Sequence, residues 1–367
     1  MIDWVTAKLP CRNTLKTGGL IKHNAKGEVE WVSQSWLPVQ GSHDSNIVIK
    51  PMTDNTIQIS GNPTKWLQGH NLFGTNDLKW LMYRFYCDLH EKLCDDGLNP
   101  TMQQYEQVEQ GIYTVSRVDV NETWHLANQS EVMAWIRSAG EKMALKRRGR
   151  GVFSGDTLYW GKQKKDNFWY LKCYSKGDEI NGKKSNFPKE LRTPAMLEYA
   201  DKALRLEMTI ARKALNEWHI NMPCNWTSDT GKLLLLNHLQ DLEMSGNFSL
   251  NDDVLNTLPS ALKMAYRSWL HGDDLRSMLP KNTFYRYRRK LKEYDIDIAM
   301  VRDTEKVTNN VVPLIKVLEA QPVGIPYWAF ENDLVVAPAY EMPMQASNDD
   351  LASTDRAVSY THLTLPT

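Results

Sequence analysis

The chain has 367 residues, a length that predicts two domains. Lys and Arg together number 44, as do Asp and Glu, so the formal net charge is zero and no global positive field attracts nucleic acid. Any contact with DNA must therefore come from local basic patches. The five cysteines form no Cys-x-x-Cys pair, which is typical of a reducing compartment rather than of a disulfide framework or a zinc site. No signal peptide and no bilayer-spanning apolar run is seen, so we expect a cytoplasmic protein without a membrane partner.

The first seventy residues predict a β-meander followed by a loop. Four short β-prone runs, separated by Gly, Pro, Asn and Asp, cover residues 3–9, 28–36, 45–50 and 56–60. Residues 65–74 predict a loop, in which His70 is either a metal ligand or a structural side chain. Among residues 75–77 are several possible N-caps for an amphipathic helix that reaches about residue 96.

A second strand and a second helix follow. Residues 113–124 alternate with period two, which places Arg117, Asp119 and Asn121 on one side. Ser130 is a candidate N-cap for the next helix. That helix runs into a basic, glycine-spaced segment that suits phosphate contacts but is also typical of a solvated loop. Its basic residues are Lys146, Arg147, Arg148 and Arg150.

The strand from residue 168 to 176 carries the candidate nucleophiles. Tyr170, Lys172, Tyr174 and Lys176 share one face of this strand, and the opposite face is apolar. A phenol has a pKa of about 10, and cationic neighbours favour its phenolate and attract phosphate. The pattern therefore predicts a tyrosine that attacks a DNA phosphodiester. The alternative is an exposed strand whose lysines keep a sheet edge soluble.

Residues 203–210 alternate in the same way, with Arg205 and Glu207 on the polar side. Three strands thus pair an apolar face with a face of charged or phenolic groups. An α+β fold, with an antiparallel sheet covered by helices on one face, brings these groups together on the open face. Cross-strand ion pairs are the alternative explanation of the same pattern.

The pattern changes after Trp218, and helices are predicted at residues 231–244, 252–258 and 260–270. We therefore expect a nicking domain at 1–220, a mainly helical DNA-binding domain at 221–335, and a disordered or artefactual tail at 336–367. The last ten residues of that tail look like translated adapter sequence.

The helical domain contains a segment with the pattern of a helix-turn-helix. Residues 273–279 and 283–294 are the two predicted helices, and Pro280 lies in the turn between them. Residues 281–292 hold six basic residues and no acid. A basic helix after a tight turn fits the major groove, although a solvated amphipathic helix has the same pattern. The predicted DNA contacts are Lys281, Arg286, Arg289 and Lys290.

Cleavage of DNA by a tyrosine also needs a divalent cation to polarise the phosphate. Carboxylates and water are the ligands that Mg²⁺ prefers, so Mg²⁺ (or Mn²⁺) is the expected cofactor. Asp119 and Glu207 are the best-placed ligands, and Glu179 is a third candidate. Since the chain has no His-x-His motif, any metal site must be mainly carboxylate, with His70 or His125 as additional candidates.

Several segments, in order over residues 1 to 330, resemble the filamentous-phage gene II replication proteins. They are Met1-Ile-Asp-Trp-Val-Thr-Ala-Lys-Leu-Pro-Cys11, Leu67-Gln-Gly-His-Asn-Leu-Phe-Gly-Thr-Asn-Asp-Leu78, Val115-Ser-Arg-Val-Asp119, Tyr170-Leu-Lys172, Arg205-Leu-Glu207, Leu279-Pro-Lys-Asn-Thr-Phe284 and Asn309-Asn-Val-Val-Pro-Leu314. The resemblance implies an initiator of rolling-circle replication in the cytoplasm of the bacterial host. Such a protein nicks the plus strand at the phage origin, becomes linked to the 5′ phosphate and later rejoins the displaced strand. It needs Mg²⁺ and works with host helicase and DNA polymerase.

The resemblance also ranks the two tyrosines. Tyr170 lies in the Tyr-Leu-Lys segment and is the first candidate nucleophile, with Lys172 beside it. Tyr174 begins Tyr-Ser-Lys-Gly-Asp-Glu, which is similar to a motif of plasmid rolling-circle initiators, and is the second. Four strand steps of roughly 3.3 Å put the two phenols about 13 Å apart, too far to share one phosphate. A plasmid-type initiator or relaxase, and an origin-binding regulator without catalysis, are the alternative functions.

Overall fold

The computed structural model describes residues 1–41, 45–146, 148–161, 168–182, 185–244, 255, 258–271, 273–292, 296, 298–299 and 314–342. Arg147, most of the predicted helix at 252–258 and the part of the predicted tail from residue 343 onward lie outside these residues. The strands are β1 (Ile2–Pro10), β2 (Gly19–His23), β3 (Val29–Gln34), β4 (Leu37–Gln40), β5 (Asn46–Thr53), β6 (Thr56–Gly61), β7 (Thr114–His125), β8 (Met143–Leu145), β9 (Gly149–Arg150), β10 (Val152–Ser154), β11 (Thr157–Trp160), β12 (Trp169–Ser175), β13 (Ala203–Ala211) and β14 (Leu242–Met244).

The helices are α1 (Pro63–Gln68), α2 (Leu78–Leu93), α3 (Met102–Glu109), α4 (Gln129–Lys142), α5 (Lys176–Asn181), α6 (Pro194–Lys202), α7 (Arg212–Glu217), α8 (Thr230–Leu239), α9 (Ser260–Leu270), α10 (Leu275–Met278), α11 (Lys281–Lys292), α12 (Leu314–Glu319) and α13 (Tyr327–Glu331). Among the described residues, no helix has both the length and the apolar composition that crossing a bilayer requires.

A large antiparallel sheet organises the described N-terminal region. Within the described residues its nine strands lie in the order β10-β11-β12-β13-β7-β1-β6-β5-β4. The predicted alternation is confirmed, because Trp169, Leu171 and Cys173 of β12 are buried while the residues between them are half-buried. The apolar residues of β13 and β7 face the same core. The α+β prediction is therefore correct.

Helices cover the apolar face of this sheet, as predicted. Side chains from α2, α4 and α8, including Phe85, Trp135 and Leu235, share one core with the inward residues of the strands. Helix α2 begins where Asp77 accepts a hydrogen bond from the backbone nitrogen of Trp80 at 3.0 Å. Helix α4 begins after Asn128, not after the predicted Ser130, because the Asn128 side chain caps the backbone nitrogen of Glu131.

Three local predictions were wrong. Residues 65–68 belong to helix α1 rather than to a loop, since Asn62 caps the helix, Pro63 starts it and Gly69 ends it at φ 80°. Strand β12 stops at Ser175, whose side chain caps α5, so Lys176 begins a helix and leaves the strand face. Residues 242–244 form β14 instead of extending a helix, because they pair with β8.

The described part of residues 255–299 has its own hydrophobic core. Helices α9, α10 and α11 contribute Tyr266, Trp269, Leu275, Phe284 and Leu291, and this core is distinct from that of the large sheet. Helix α11 starts at Lys281, directly after Pro280, two residues before the predicted start. Phe284 and Leu291 are buried on its inner side, and Tyr287 is partly buried against the same core.

Residues 320–342, here called the C-terminal strap, return to the region of the large sheet. The Trp124 Nε1 donates to the carbonyl of Ala320 at 2.9 Å, and the backbone nitrogen of Val323 donates to Thr123 O at 2.7 Å. The strap also buries apolar side chains against Leu72, Phe73 and Tyr199. Residues 336–342, which were expected to belong to the tail, are part of this packed segment.

Candidate active site

The register of β12, β13 and β7 aligns the predicted site residues in three rows on the polar face of the sheet. The rows are Tyr170–Thr209–Asp119, Lys172–Glu207–Asn121 and Tyr174–Arg205–Thr123. This arrangement brings both candidate tyrosines and two of the three candidate metal ligands onto neighbouring strands. The predicted convergence of the three polar strand faces is therefore confirmed. The prediction that this face is open was wrong, because Asp119, Arg205 and Glu207 are all buried.

Glu207 lies at the centre of these rows and is buried. Its Oε1 is 2.7 Å from Nζ of Lys172, and its Oε2 accepts a hydrogen bond from the Tyr174 hydroxyl at 3.1 Å. Burial raises the pKa of the Glu207 carboxyl; the Lys172 ammonium opposes this shift, while the negative charges of Asp3 and Asp119 reinforce it. The site thus holds a carboxyl group whose charge depends on nearby cations.

Asp119 is buried and held by Arg117. Nε and Nη2 of the guanidinium donate to the two carboxylate oxygens at 2.8 Å and 2.6 Å, which is a bidentate pair. Burial alone lowers the pKa of Arg117, but the Asp119 pair and the negative charge that Tyr170 and Glu207 can carry raise it overall. Arg117 therefore remains a cation that is fixed by its pair with Asp119.

The two tyrosines have different surroundings. Lys172 and Lys176 place their ammonium groups over the ring of Tyr174, at 5.6 Å and 5.9 Å from its centroid, rather than beside its hydroxyl. Burial, with the charges of Glu207 and Glu179, raises the pKa of Tyr174 well above its ordinary value. The expectation that the lysines favour a phenolate is therefore wrong for Tyr174. Tyr170 is half-buried, and its ring centroid is 6.2 Å from that of Tyr159.

Glu179 lies apart from the other two candidate ligands. It is on α5, where it pairs with Nζ of Lys176 at 2.8 Å. Lys176 is only 1% exposed, and it also donates to Asn71 Oδ1 at 2.8 Å. Burial lowers the pKa of Lys176, and the Glu179 charge opposes that shift. The helix start at Lys176 thus places Glu179 on α5 rather than on the strands that carry Asp119 and Glu207, although Glu179 lines the same cavity as Lys172 and Tyr174.

Arg205 is a structural residue of the site. Its guanidinium is fully buried and donates to the carbonyl groups of Asn71 and Leu72 and to the hydroxyl of Thr123. These contacts cover one end of the polar face with residues 71–72. The Arg205 guanidinium therefore holds the loop at residues 71–72 rather than binding a ligand.

Asp3 is a site residue that the sequence did not single out, and Asn121 was placed on the polar side of its strand but given no role. Asp3 lies on β1 and accepts hydrogen bonds from Asn62 and from Asn71, the latter at 2.9 Å. Burial alone raises the pKa of Asp3, but Lys176, the Asn71 hydrogen bond and other cations lower it overall. The side chain of Asn121 and the hydroxyl of Thr209 are buried, and neither has a hydrogen-bond partner among the described residues. The available signal was the alternation of β1 and β7, but the sequence does not show that these strands are neighbours.

The oxygen atoms on this face fit the chemistry of a hard cation. Glu207 and Asp119 supply carboxylates, and Asn121, opposite Glu207, supplies an amide oxygen without a partner among the described residues. In the described part of the chain, no three His, Cys, Asp or Glu side chains are already grouped so that they could hold a metal. Each carboxylate is instead paired with a cation of the protein, Lys172 or Arg117.

The two candidate histidines have other contacts. His70 is fully buried; its Nε2 donates to the carbonyl of Leu334 at 2.7 Å and its Nδ1 accepts from the backbone nitrogen of Leu72 at 3.2 Å. Both nitrogens are therefore used, and the structural alternative for His70 is correct. The ring of His125 packs at 4.4 Å from that of Tyr199, and burial lowers its pKa.

The basic segment after α4 is largely engaged within the protein. The Arg148 guanidinium stacks at 4.1 Å from the Trp169 ring centroid and donates to Trp169 O at 2.6 Å. Arg150 donates to the carbonyl of Glu141, whereas Lys146 is exposed. Among the basic residues of this segment that the structure describes, Lys146 is therefore the most exposed.

Helix α11 presents its basic residues to solvent. Lys281, Arg286, Arg289 and Lys290 are exposed, and Phe284 and Leu291 are buried on the opposite side. The helix follows α10 across Pro280, which matches the predicted short turn. The arrangement supplies an exposed cationic face of the kind that contacts phosphates.

The chain is similar in sequence to known proteins. Two family models of the phage gene II replication-associated protein match the chain, the N-terminal one over residues 1–229 and the C-terminal one over residues 250–335. The replication-associated protein of this kind from Enterobacteria phage I2-2 is 38% identical over 336 residues, which are 89% of this chain and 95% of the relative. The proteins of the same name from Enterobacteria phages fd and M13 are each 23% identical over 318 residues, covering 71% of this chain and 73% of the relative. No solved structure matches the chain significantly.

Proposed function

This chain belongs to the gene II replication-associated protein family, and we propose that it initiates rolling-circle replication by nicking one strand of the origin of the double-stranded phage DNA. The observation that carries the proposal is the alignment of Tyr170, Thr209 and Asp119 beside Lys172, Glu207 and Asn121. This face combines a phenol, two carboxylates and two cations within neighbouring strands. Those are the groups that cleavage by a tyrosine requires.

Tyr170 is the nucleophile in this proposal. Its phenolic oxygen forms a bond to phosphorus, the bond from phosphorus to the 3′ oxygen breaks, and a 5′-phosphotyrosyl link and a free 3′ hydroxyl result. The phenolic proton passes to solvent as the bond forms, and the 3′ oxygen takes up a proton from solvent. Arg117 stabilises the negative charge on the Tyr170 oxygen, while Lys172 attracts the phosphate. Attack by a 3′ hydroxyl reverses these steps, which rejoins the displaced strand and restores the tyrosine.

Mg²⁺ (or Mn²⁺) is the cofactor that this donor set favours. Glu207, Asp119 and the Asn121 amide oxygen would hold it, and bound Mg²⁺ would polarise the phosphate oxygens. The side-chain amide of Asn121 has no hydrogen-bond partner among the described residues, which supports this assignment. Lys172 and Arg117, which pair with the carboxylates, then become available to the phosphate. Glu179, on α5, acts on Tyr174 and Lys176 rather than on the cation in this proposal.

The helical unit supplies affinity for duplex DNA. Its exposed basic helix α11 has its own supporting core, which is consistent with a module that binds the origin while the sheet cleaves it. Recruitment of host helicase and DNA polymerase, which such initiators require, remains part of the proposal.

The test is incubation of the purified protein with supercoiled DNA that carries the phage origin, with and without Mg²⁺, followed by a denaturing gel. We expect a nicked circle and a covalent protein–DNA adduct that needs both Mg²⁺ and Tyr170. Origin binding without nick or adduct would instead support a regulator without catalysis. Cleavage of plasmid origins in preference to the phage origin would favour the plasmid-type alternative.

A further inference from the structure

The polar face of the sheet continues beyond Asp119 onto strands that the proposed chemistry does not use. The register places Thr6 of β1 beside Arg117 of β7 and beside Ser60 of β6, and Lys8 beside Gln58. Lys50 of β5 is in turn opposite Gln58. The inward neighbours of these residues, such as Ala7, Ile59 and Ile49, belong to the core. The outward residues therefore extend the same face by three strands.

Trp4 is the aromatic residue of this extension, and it is held in place. It is half-buried on β1, and its Nε1 donates to Ser60 Oγ at 3.2 Å. Ser60 is in turn 2.7 Å from the hydroxyl of Thr6. The Arg117 guanidinium lies 5.3 Å from the Trp4 ring centroid, while its other contacts fix it to Asp119. A continuous set of contacts thus joins Trp4 to the candidate active site.

The charge of the extension suits a polyanion. Within the described strands, the outward positions named above include the cations Lys8 and Lys50, while the charge of Arg117 is balanced by its pair with Asp119. Lys8 is exposed and Lys50 is half-buried. Serine, threonine and glutamine fill the positions between these cations, and their groups can donate hydrogen bonds to phosphate and sugar oxygens.

We propose that this extension, centred on Trp4, Lys8 and Lys50, is a binding track for the single-stranded DNA that flanks the cleaved phosphodiester. Three strand spacings of about 4.8 Å place β1 about 14 Å from β12, which a few nucleotides can span. An indole on a flat sheet surface stacks on an unpaired base, whereas the bases of a duplex are already stacked on each other. The chemistry therefore selects single-stranded over double-stranded DNA.

This inference rests on the proposed nicking function, but it has its own measurement. Binding of the full chain to a fluorescent oligonucleotide that spans the nick sequence is measured by anisotropy, without Mg²⁺ so that no cleavage occurs. Trp4→Ala should weaken binding about 5- to 150-fold, the range found for loss of one stacked base. The double variant Lys8→Ala, Lys50→Ala should flatten the salt dependence by a slope of about 1.4, since each lost contact to single-stranded DNA accounts for about 0.7.

The matched controls are Trp80→Ala and Lys79→Ala. Both residues are partly exposed on α2, which packs on the other face of the sheet. Neither control should change the affinity. Thermal unfolding checks that each variant is folded, and Trp4→Phe, which keeps an aromatic ring, should bind better than Trp4→Ala. Binding to the corresponding duplex should change less than about twofold in all variants.

The proposed track is wrong if the folded Trp4→Ala protein and the lysine double variant both bind single-stranded DNA with unchanged affinity. An equal loss on single-stranded and duplex DNA also overturns it. If the adduct assay shows no cleavage but the track variants still lose single-strand affinity, the nicking proposal fails and the track stands. If Tyr170→Phe abolishes the adduct while the track variants bind normally, the track fails and the nicking proposal stands.

Discussion

The Tyr174 hydroxyl donates a hydrogen bond to Glu207 Oε2 at 3.1 Å across the pair of strands β12 and β13. A phenol that is a donor to a buried carboxylate is a poor nucleophile, because losing its proton would place two negative charges side by side. Tyr170 lies two rows away on the same strand, opposite Thr209. The two phenols therefore have different neighbours on the sheet face.

The first prediction separates the roles of these phenols. Tyr170→Phe removes the hydroxyl but keeps the ring, so nicking and the covalent adduct should both disappear. Tyr174→Phe should keep nicking and the adduct but rejoin strands poorly, because Glu207 loses the donor that orients it. A gel that resolves nicked, closed and adduct-bearing DNA checks both variants. The assignment is reversed if Tyr174→Phe eliminates the adduct and Tyr170→Phe retains it.

The second prediction concerns the carboxylates. Asp119→Asn and Glu207→Gln should each reduce Mg²⁺-dependent nicking by about a hundredfold or more, while origin binding changes less than about threefold, because the fold keeps its shape and loses cation ligands. Glu179→Gln is the comparison on α5, and it should retain most of the activity. Full nicking by both sheet variants would remove the proposed cation site.

The third prediction is a pH dependence. Burial raises the pKa of Glu207, so the carboxylate forms at higher pH than in a free glutamate, and nicking should rise through that raised pKa. Lys172→Met removes the ammonium that opposes the shift, so the acidic limb of the profile should move to higher pH. The free energy of unfolding depends on pH in the opposite direction from nicking. The contribution of a carboxyl with a raised pKa is fully present below the unfolded value and is lost as pH rises through the folded value.

Urea unfolding of wild type and Glu207→Gln at about pH 5 and pH 8 measures that contribution. Glutamine does not ionise, so the wild-type protein should lose free energy of unfolding relative to the variant as the pH rises. A difference between the two proteins that stays constant with pH would show that the carboxyl titrates normally.

The fourth prediction concerns duplex binding by α11. The double variant Arg286→Ala, Arg289→Ala should weaken binding to origin duplex and lower the salt slope by about 0.9 for each lost phosphate contact. Arg137 and Lys142 are exposed basic residues of α4, and their double alanine variant is the control with the same change in charge. Equal salt slopes in the wild type and the α11 variant would show that the helix does not contact phosphate.

Local sequence patterns predicted those features of the fold that depend on residues close together in the chain. The alternation of residues 169–175 indicated which side chains of β12 point away from the core. In β7 and β13 it indicated which residues join the core, although both faces of these strands are largely buried. The order of the strands was not predictable, because contacts such as Arg205 to Asn71 join residues 134 positions apart. The site members Asp3 and Asn121 therefore emerged only when β1, β7 and β13 were placed side by side.

The positive charge of a segment alone did not predict whether its side chains are available to phosphate. Arg148 and Arg150 lie in a segment that suits phosphate on sequence grounds, yet each donates to a carbonyl oxygen of the protein. A guanidinium near an aromatic ring and an available main-chain oxygen has partners that a sequence window does not show. Helix α11 was predicted more securely because its apolar residues recur at helical spacing, which fixes the side that remains exposed.

The C-terminal strap has a consequence for the order of events during synthesis. His70 hydrogen-bonds to Leu334, a residue 264 positions later, and the loop at 70–72 in turn holds Arg205. A ribosome that adds about 5 to 20 residues per second needs roughly 13 to 53 s to cover that interval. Throughout this time the nascent chain lacks the clamp on the loop beside its tyrosine strand. The last contact on the loop bordering the site, from His70 to Leu334, thus forms only when the basic helical module has already been made. This couples completion of the site to the presence of the part proposed to find the origin.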